Sequence, residues 1–571
     1  MNKNLFLIFI ISFSLVSPFL INNTIPNSDD FSSHYFKTEY MKMSFDKYGK
    51  IPEWNELWYG GSPLLLFYPP LSYYVVFLFS FLMPVLSAYH FITCLFYALG
   101  SVSIYFLAKA FKVKENTALL SALFFSLLYP ILIENVYTHQ RLPTIISIPF
   151  FVFYLAFLIE GKKILSAVSF ILLCFTHHLS VFILGLVLIP LIIFKRNLIK
   201  NTILTLIPGA VLSFPIFYEM IIYLKFGFSY TNCSVTGDCF YLSFIHIFSS
   251  IILLAIVLHF TLPKGKKIYG AVPITLLILY SIFSPYSVLL GNNSKIFLVL
   301  SFSVLYIFLL KVKIEKENFL IVWFWLFILL GIGPKFFFYN LIPFGKMLDP
   351  LRLLLFANIP GIIIFSKYME NKKIFPYLAG IFLLCIALPS LISAFELSKD
   401  IFTEIPEINL GEEFGWFAVS NCPANLVSLL PITIEKPIID GWYPQARLLP
   451  EFLGLTMTNS LSPDEIAYKF SKYPLKWIIS CKEQLASTEY ELINNQGIYI
   501  YKRKKDFSLA ENADITDYSS DKIIFTTNGG QVNFNIPYFP KWKVDGKEVE
   551  KSENNLIKFS VSPGEHTLEY K

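Results

Sequence analysis

The chain has 571 residues, of which 55% are hydrophobic, 18% are aromatic and 15% are charged, with a formal net charge of +6. A soluble domain carries about a quarter charged residues, so this composition excludes an ordinary soluble protein. The Lys and Arg residues stand between long apolar segments, which makes them signals of membrane topology and argues against a nucleic-acid-binding surface. We predict a polytopic α-helical membrane protein.

The N-terminus has some features of a signal peptide, because Met1–Asn4 precedes an apolar run that ends at about Leu20. No small-residue cleavage site follows this run, and many further apolar segments come after it. We therefore expect the run to be an uncleaved first membrane helix.

Thirteen apolar segments approach the length of about 20 residues that a helix needs to cross a hydrocarbon core. They lie at about 4–21, 87–110, 117–137, 142–160, 164–178, 179–194, 202–223, 243–262, 268–284, 295–311, 318–334, 352–367 and 374–396. Another segment, 68–86, is also apolar enough to span, so the sequence leaves a choice between thirteen and fourteen spans.

The positions of the cations decide this choice, because cytoplasmic turns collect Lys and Arg. If 68–86 lies along the outer interface, every second turn is rich in cations, and these turns fall in the cytoplasm. They contain Lys109, Lys112, Lys114, Lys162, Lys163, Lys195, Arg196, Lys200, Lys264, Lys266, Lys267, Lys311, Lys313, Lys316, Lys367, Lys372 and Lys373. We thus expect thirteen spans in a cell membrane, a cytoplasmic N-terminus and an external C-terminal region.

The residues after 397 have a different composition, in which Asp, Glu, Lys, Asn and Pro are frequent. We predict a membrane domain at 1–397 with an external loop at 22–86, an external α/β domain at 398–505 and a β-sandwich module at 506–571. Ser462-Pro463 is typical of a helix start. Asp545-Gly546 between two strand-like runs predicts a hairpin turn.

Four of the seven cysteines fall on the predicted external side, where disulfides persist. Cys233 and Cys239 flank a short loop, and Cys422 and Cys481 lie in the C-terminal region. Two disulfides are therefore plausible. No Cys/His spacing indicates a zinc site.

The first external loop carries the most informative polar residues. Asp29 and Asp30 follow the first span closely, and residues 31–48 lack Gly and Pro, which predicts a helix that ends near Gly49. Ser28 or Asp29 can serve simply as its N-cap. Asp30 and His34 are spaced i, i+4 and share one helix face, an arrangement that suits proton abstraction or cation binding, or one that only steadies the helix.

Further polar side chains are predicted on the same side of the membrane. Arg141 and Arg352 can hold an anionic, lipid-linked substrate through their planar donor groups, or they can simply reach the lipid headgroups. His139 and His178 are candidates for substrate binding, although a His at a span end often has only a structural role. Trp54 and Tyr73 can stack on a sugar or belong to an interfacial aromatic belt.

The first loop resembles that of a family of archaeal and bacterial membrane proteins. The resemblance rests on Asp30-x-x-x-His34, on Gly49, Pro52 and Trp54, on Gly60-Gly61-x-Pro63, and on Phe67-Tyr68-Pro69-Pro70-Leu71-x-Tyr73-Tyr74. The family is called 6-pyruvoyl-tetrahydropterin synthase-related, and its layout is similar to that of the GT-C superfamily of glycosyltransferases. In that superfamily the first external loop contains interfacial helices and an essential acid.

The C-terminal region carries a second resemblance. Tyr538-Phe539-Pro540-x-Trp542-x-Val544-Asp545-Gly546-Lys547 and Pro563-Gly564-Glu565-His566 resemble the closing module of bacterial YfhO-like membrane proteins, and the stretch 437–445 is similar to their post-membrane segment. The family of the first loop usually has Gly or His where Asp29 stands here. The choice of catalytic carboxylate thus rests on the spacing to His34, which favours Asp30.

The resemblance implies a GT-C-like enzyme that transfers a sugar, with inversion, from a polyprenyl-phosphate-linked donor at the outer membrane surface. Asp30 would be the general base, or would hold a divalent metal ion if the acceptor is an amide, and no other metal ligand is expected. Arg352, with Arg141, would hold the donor phosphate. The alternatives are a transporter or flippase and a non-catalytic surface-binding protein. The sugar and the acceptor stay open.

Overall fold

A computed structural model describes residues 3–128, 130–223, 318–330, 350–370, 388–402, 405–441, 446–449, 458–482, 484–495 and 497–571. The chain divides into two units, which we describe separately. The first contains the described parts of 1–22, 90–213 and 231–400. The second contains the described parts of 23–89, 214–230 and 401–571.

The first unit is helical. Its elements are α1 (Lys3–Asn22), α4 (Val85–Ala110, of which 90–110 belong here), α5 (Glu115–Ser126), a π-helix (Pro130–Thr138), α6 (Leu142–Ile159), α7 (Lys163–Thr176), α8 (His178–Phe194), a 3-10 turn (Arg196–Leu198), α9 (Ile199–Tyr223, whose last ten residues belong to the second unit), α10 (Asn318–Leu330), α11 (Pro350–Met369) and α12 (Leu388–Leu397). Within the described ranges, five helical segments are long and apolar enough to cross a membrane, so a multi-pass membrane protein is confirmed.

The helices of this unit pack through aromatic rings and short hydroxyl pairs. Phe151 of α6 lies 4.9 Å from Phe356 of α11, measured between ring centroids. The hydroxyls of Ser147 and Ser180 are 2.7 Å apart and join α6 to α8. Small polar residues of this kind let membrane helices approach closely and satisfy one another's hydrogen bonds.

Several predicted spans correspond to helices, with two differences. The helices that match 164–178 and 179–194 have 14 and 17 residues, and each is shorter than an average straight crossing. The helix expected at 117–137 changes to a π-helix at Pro130, where the proline ring cannot donate a backbone hydrogen bond. The predicted spans 243–262, 268–284 and 295–311 lie outside the described residues, so the number thirteen stays a prediction.

The segment 68–86 does not form a spanning helix, as the charge pattern predicted. Its helix, α3 (Leu71–Phe79), has nine residues and therefore rises only about 14 Å. It follows Pro69-Pro70 and ends before Pro84, which precedes α4.

The second unit begins with the helix predicted in the first loop, α2 (Asp29–Tyr48). Gly49 ends it in the left-handed conformation and donates its backbone N–H to the carbonyl of Phe45, which confirms the predicted end. Ser28 stands at the N-cap position but makes no side-chain capping hydrogen bond. The short strands β1 (Trp54–Asn55) and β2 (Ser62–Pro63) then form a small antiparallel pair.

Residues 401–571 add three sheets to this unit. The first has the order β3-β4-β6-β5, where β3 is Trp416–Ser420, β4 is Leu475–Ser480, β5 is Tyr490–Asn494 and β6 is Tyr499–Arg503. β3 and β4 are parallel, and α13 (Ala424–Ile434) and α14 (Pro463–Lys469) lie in the connection between them. Ser462 and Glu465 form a capping box at the start of α14, as the Ser-Pro pair indicated.

The other two sheets form the predicted β-sandwich. Their orders are β13-β14-β10-β7 and β12-β11-β15-β9-β8, with β7 at Ala510–Glu511, β8 at Asp514–Ser519, β9 at Lys522–Thr527, β10 at Gly530–Pro537, β11 at Trp542–Val544, β12 at Lys547–Glu548, β13 at Glu550–Lys551, β14 at Leu556–Val561 and β15 at Gly564–Tyr570. Phe525 of one sheet packs against Phe534 and Phe559 of the other. Asp545 and Gly546, both with positive φ, form the predicted hairpin turn between β11 and β12.

Cys422 and Cys481 form a disulfide within this unit, which confirms one of the two predicted pairs. Cys233 and Cys239 lie outside the described residues. The domain boundaries at 397 and 505 stay predictions.

The first loop (residues 22–86) and the C-terminal residues share one core. The backbone N–H of Gly60 donates to the carbonyl of Ile438 at 2.9 Å, and the N–H of Ile438 donates to the carbonyl of Leu57 at 2.8 Å. Gly60 has φ +67°, and a Cβ atom there would lie 2.3 Å from the ring of Trp416. Only glycine lets the two backbones approach this closely.

We expect Gly60→Ala to destabilise the second unit far more than Gly49→Ala. The two glycines have nearly equal φ, +67° and +70°, but a Cβ at Gly49 meets nothing within 4 Å. Gly49→Ala should therefore cost about 1 kcal/mol from the left-handed backbone alone, whereas Gly60→Ala adds a steric clash. Thermal unfolding of the purified protein in detergent measures both. Equal shifts in melting temperature would contradict the close packing at Gly60.

Candidate functional site

One face of α2 brings three ionisable side chains together. Asp30, His34 and Lys37 are spaced i, i+4 and i+7, so they follow each other along one side of the helix. The Asp30 side chain is half-buried, and the other two are buried. A buried charge is costly unless it is paired or used, so this face is the strongest candidate for a site in the second unit.

His34 is fixed by the helix that follows the Pro-Pro pair. Its Nδ1 atom lies 2.9 Å from the hydroxyl of Tyr73 on α3. The rings of Tyr68 and Tyr73 lie 6.0 and 5.9 Å from the imidazole, measured between centroids. Tyr73, predicted to stack on substrate, is buried and instead holds the imidazole in place, which limits the orientations available to His34.

Lys37 lies deeper, with 2% of its surface exposed. Side chains on a helix lean toward its N-terminus, and the Lys37 ammonium accordingly donates to the hydroxyl of Ser33 at 3.1 Å. Three aromatic rings surround the same nitrogen: Trp58 at 5.5 Å, Tyr68 at 5.7 Å and Tyr73 at 5.5 Å from their centroids. Aromatic faces attract a cation, so this cage partly replaces the water that Lys37 has lost.

Burial lowers the pKa of Lys37 from 10.5 to about 7, and the negative charge of Asp30 acts in the opposite direction. The amino group therefore changes its charge close to neutral pH. A Lys with this property is unusual outside functional sites, because burial without a role only costs stability.

The two candidate carboxylates are those of Asp29 and Asp30, and the structure describes only the second. The side chain of Asp29 lies outside the described atoms, and its backbone occupies the first position of α2. Asp30 interacts electrostatically with Lys37. The spacing to His34 and the interaction with Lys37 both favour Asp30 as the functional acid.

Trp54 has a different environment from the one that sugar stacking requires. It is 1% exposed and lies in the core of the second unit against Trp542 and Tyr570. An indole ring that is buried to this extent has no free face on which a sugar can stack. We correct the predicted substrate-binding role to a structural one.

The other predicted residues belong to the first unit. His139 lies 3.7 Å from Glu134, measured between Nε2 and Oε2, and both side chains are partly exposed. Arg141 precedes α6 as its N-cap residue. His178 is the first residue of α8, and the positive charge of Arg352 near the start of α11 acts on it. The structure thus brings His178 and Arg352 near each other within this unit.

A metal site is not apparent in the part of the chain that the structure describes. Within those residues, no three His, Cys, Asp or Glu side chains lie close enough together to hold a metal ion. The chemistry of the α2 face is therefore argued from its own acid, imidazole and amine.

Lys37 was not predicted as a site residue, because Lys residues usually lie on solvated faces. Two features of the sequence around Lys37 nevertheless indicate burial. Lys37 continues the spacing of Asp30 and His34 by three residues, and its neighbours Phe36, Tyr40 and Met41 are large and apolar or aromatic. A Lys within such a stretch is enclosed if the helix packs on two sides.

Part of the chain matches a known protein family. Residues 65–218 match the family described as "6-pyruvoyl-tetrahydropterin synthase related domain; membrane protein". The match confirms the resemblance predicted from the first loop, and it includes Tyr68, Tyr73 and His178 but begins after α2. No curated protein matches the chain at a significant level.

Two solved structures align with most of the chain at low sequence identity. The apo oligosaccharyltransferase of Archaeoglobus fulgidus is 11% identical with a TM-score of 0.49, and the match covers 84% of this chain and 70% of that one. ArnT from Cupriavidus metallidurans bound to undecaprenyl phosphate is 11% identical with a TM-score of 0.41, and the match covers 88% and 98%.

We expect Lys37→Met to stabilise the protein, most strongly below pH 7. The pKa of Lys37 is lower in the folded state than the ordinary value of 10.5, so the unfolded chain binds the proton more tightly. The cost of burial is complete below about pH 7 and disappears as the pH rises toward 10.5. It amounts to roughly 5 kcal/mol at most, from about 1.4 kcal/mol per pKa unit.

Melting temperatures of the wild type and Lys37→Met between pH 6 and pH 10 measure this effect. The control is Lys47→Met on the same helix, whose side chain is 57% exposed and which should change stability little at any pH. A difference between wild type and Lys37→Met that stays constant with pH would contradict the buried, titrating amine.

Proposed function

We propose that the protein transfers a sugar from a polyprenyl-phosphate-linked donor to an acceptor at the outer surface of the membrane. The observation that carries the proposal is the face of α2, where Asp30 lies half-buried beside the buried His34 and Lys37. An amine with a shifted pKa beside a carboxylate and an imidazole is typical of a place where proton transfer occurs. The lipid-linked donor is taken from the resemblance of the first loop to the GT-C layout.

Asp30 is the general base in this proposal. Its carboxylate accepts the proton of an acceptor hydroxyl while the oxygen of that hydroxyl attacks the anomeric carbon of the sugar. The bond from this carbon to the lipid phosphate breaks, and its electron pair leaves with the phosphate. Attack from the side opposite the leaving group inverts the anomeric centre.

The buried side chains around Asp30 have supporting roles. The Lys37 ammonium attracts the Asp30 carboxylate and keeps it available as a base. The hydrogen bond between His34 and Tyr73 holds the imidazole beside this pair. Because surrounding aromatic rings exclude water, these charge interactions are stronger than on an open surface.

The predicted phosphate ligands remain part of the proposal. Arg352, with Arg141, would neutralise the departing lipid phosphate through paired donor groups, and His178 and His139 would contact the donor. The external location of the C-terminal region is supported by the Cys422–Cys481 disulfide, because disulfides persist on the oxidising side of a membrane.

We expect Asp30→Asn to lower transfer by about a hundredfold or more, since a general base contributes roughly 10²–10⁴ to the rate. The assay uses purified protein in lipid vesicles with a mixture of labelled polyprenyl-phosphate sugars and measures label in the acceptor fraction. Asp46→Asn is the matched control: Asp46 lies on the same helix, is 57% exposed and pairs with Lys42. Its activity should stay within about twofold of the wild type.

Two results would count against this assignment. Transfer by Asp30→Asn at the wild-type rate would remove Asp30 as the base. The absence of transfer from every lipid-linked donor by the wild type would remove the proposed function.

We also expect transfer to fall as the pH rises through about 7, because Lys37 then loses the positive charge that holds the Asp30 carboxylate in position by electrostatic attraction. Arg stays protonated at all accessible pH values, so Lys37→Arg should extend activity to higher pH even if its maximal rate is lower. The turnover rate between pH 5.5 and pH 9 measures this. An unchanged alkaline limb in Lys37→Arg would assign the titration to another group.

A further inference from the structure

The C-terminal sandwich carries an aromatic cluster that the proposed reaction does not use. Phe539, Trp542 and Tyr570 are 0%, 0% and 6% exposed. The ring of Tyr570 lies 6.0 Å from that of Phe539 and 5.5 Å from that of Trp542, measured between centroids. We call these three residues the aromatic socket. Two of them belong to the Tyr-Phe-Pro-x-Trp motif of the sequence.

Trp54 of the first external loop fills this socket. Its ring centroid lies 5.3 Å from Trp542, 5.1 Å from Tyr570 and 6.4 Å from Phe539. Gly61 approaches the same indole so closely that a Cβ atom would lie 2.7 Å from it. The ring of Trp54 is thus enclosed by the socket and by its own loop.

The Trp54 strand is tied in turn to α2. The hydroxyl of Tyr40 donates to the carbonyl of Trp54 at 3.3 Å, and the N–H of Glu56 donates to the same hydroxyl at 3.3 Å. Tyr40 is buried and follows Lys37 by three residues on the helix, so it lies on a neighbouring part of the helix surface. Displacement of Trp54 therefore acts on the helix that carries the α2 face.

Polar contacts surround the socket. Lys541 places its ammonium 3.3 Å from Glu53 and 3.6 Å from Glu219 near the end of α9, and its side chain is only 12% exposed. Phe539 lies 5.2 Å from Tyr223 at the end of the same helix. Lys50 pairs with Asp521, and the hydroxyl of Tyr518 donates to Glu56. The sandwich contacts both the first loop and the outer part of α9.

A module that binds carbohydrate presents aromatic rings to the ligand. The rings of the socket instead face the protein's own loop and are covered by it. We infer that the C-terminal β-sandwich is a positioning element, which fixes the first external loop through Trp54 and Lys541 and thereby holds α2 in place. Its catalytic consequence rests on the proposed function; its structural consequence does not.

Hydrogen exchange of the full-length protein in detergent tests the structural consequence. The probe is the loop peptide around Trp54, which contains the N–H of Leu64 bonded to the carbonyl of Glu53. Trp542→Ala should raise exchange in this peptide at least tenfold and leave exchange in α4 unchanged. Trp542→Phe, which keeps an aromatic ring, should stay within about threefold of the wild type.

Two further variants separate positioning from general loss of folding. Phe559→Ala opens a cavity between the sheets beside Phe525 and Phe534, so it should loosen β10 and β14 while loop exchange stays within about twofold. Lys541→Gln leaves the core intact and removes both ion pairs, so it should raise exchange at the loop and at the end of α9 severalfold. The inference would be overturned if both Trp542→Ala and Lys541→Gln left hydrogen exchange in the loop unchanged. It would also be overturned if Phe559→Ala raised exchange in the loop as much as Trp542→Ala does, because the effect would then be a general loss of folding.

The effect of the positioning on catalysis is tested by a separate measurement of kcat and KM. In the transfer assay, Lys541→Gln should lower kcat at least fivefold and leave KM for the lipid donor within about twofold, because the base is displaced and donor binding is not. Equal loss in Phe559→Ala, or an effect on KM alone, would overturn the positioning role. A wild type without transfer would refute the proposed function, and hydrogen exchange alone would then decide the inference.

Discussion

The backbone pairing between residues 57–60 and residues 437–440 is the constraint on which the second unit depends. These segments are separated by nearly 380 positions in the sequence, and their hydrogen bonds place the first loop beside β3. Gly60 permits the approach because it has no side chain, and Trp416 fills the space that a Cβ would occupy. Trp54 enters the aromatic socket from the same loop. α2 therefore packs against α13 and the loop core, and does not stand alone in solvent.

The enclosure of Lys37 follows from this packing. A helix on an open surface would expose Lys37 to water and leave its proton affinity unchanged. Here Trp58 covers one side, and Phe36 stacks on the same indole at 3.8 Å. A Cβ atom at Gly441, next to Asp440, would lie 2.9 Å from the indole of Trp58. The C-terminal residues thus help to remove water from an amine that the first loop supplies.

The sequence predicted features that depend on local chemistry. The end of α2 at Gly49, the capping box at Ser462 and the turn at Asp545-Gly546 each follow from a few adjacent residues. The absence of a span at 68–86 followed from the distribution of Lys and Arg among the turns. The chain's membership in a multi-pass class followed from composition alone.

Features that depend on distant contacts could not be predicted in this way. Trp54 was expected to stack on a sugar or to belong to an interfacial aromatic belt, because its position in the first loop gives no sign of Trp542 and Tyr570. Lys37 was not singled out, because its burial depends on Trp58 and Tyr68 from beyond the end of α2. The roles of Arg141, Arg352, His139 and His178 depend on long-range placement that spacing in the sequence does not encode.

The pairing of 57–60 with 437–440 also has a consequence for the order of events during synthesis. The first loop is translated several hundred residues before its partner strands exist, so Trp54 lacks Trp542 and Tyr570, and Gly60 lacks Trp416, in that interval. During elongation the ring of Trp54 needs the lipid interface or a chaperone as a temporary environment. The packing around Trp54 therefore becomes complete only when β15 has been made and has brought Tyr570 to Trp54.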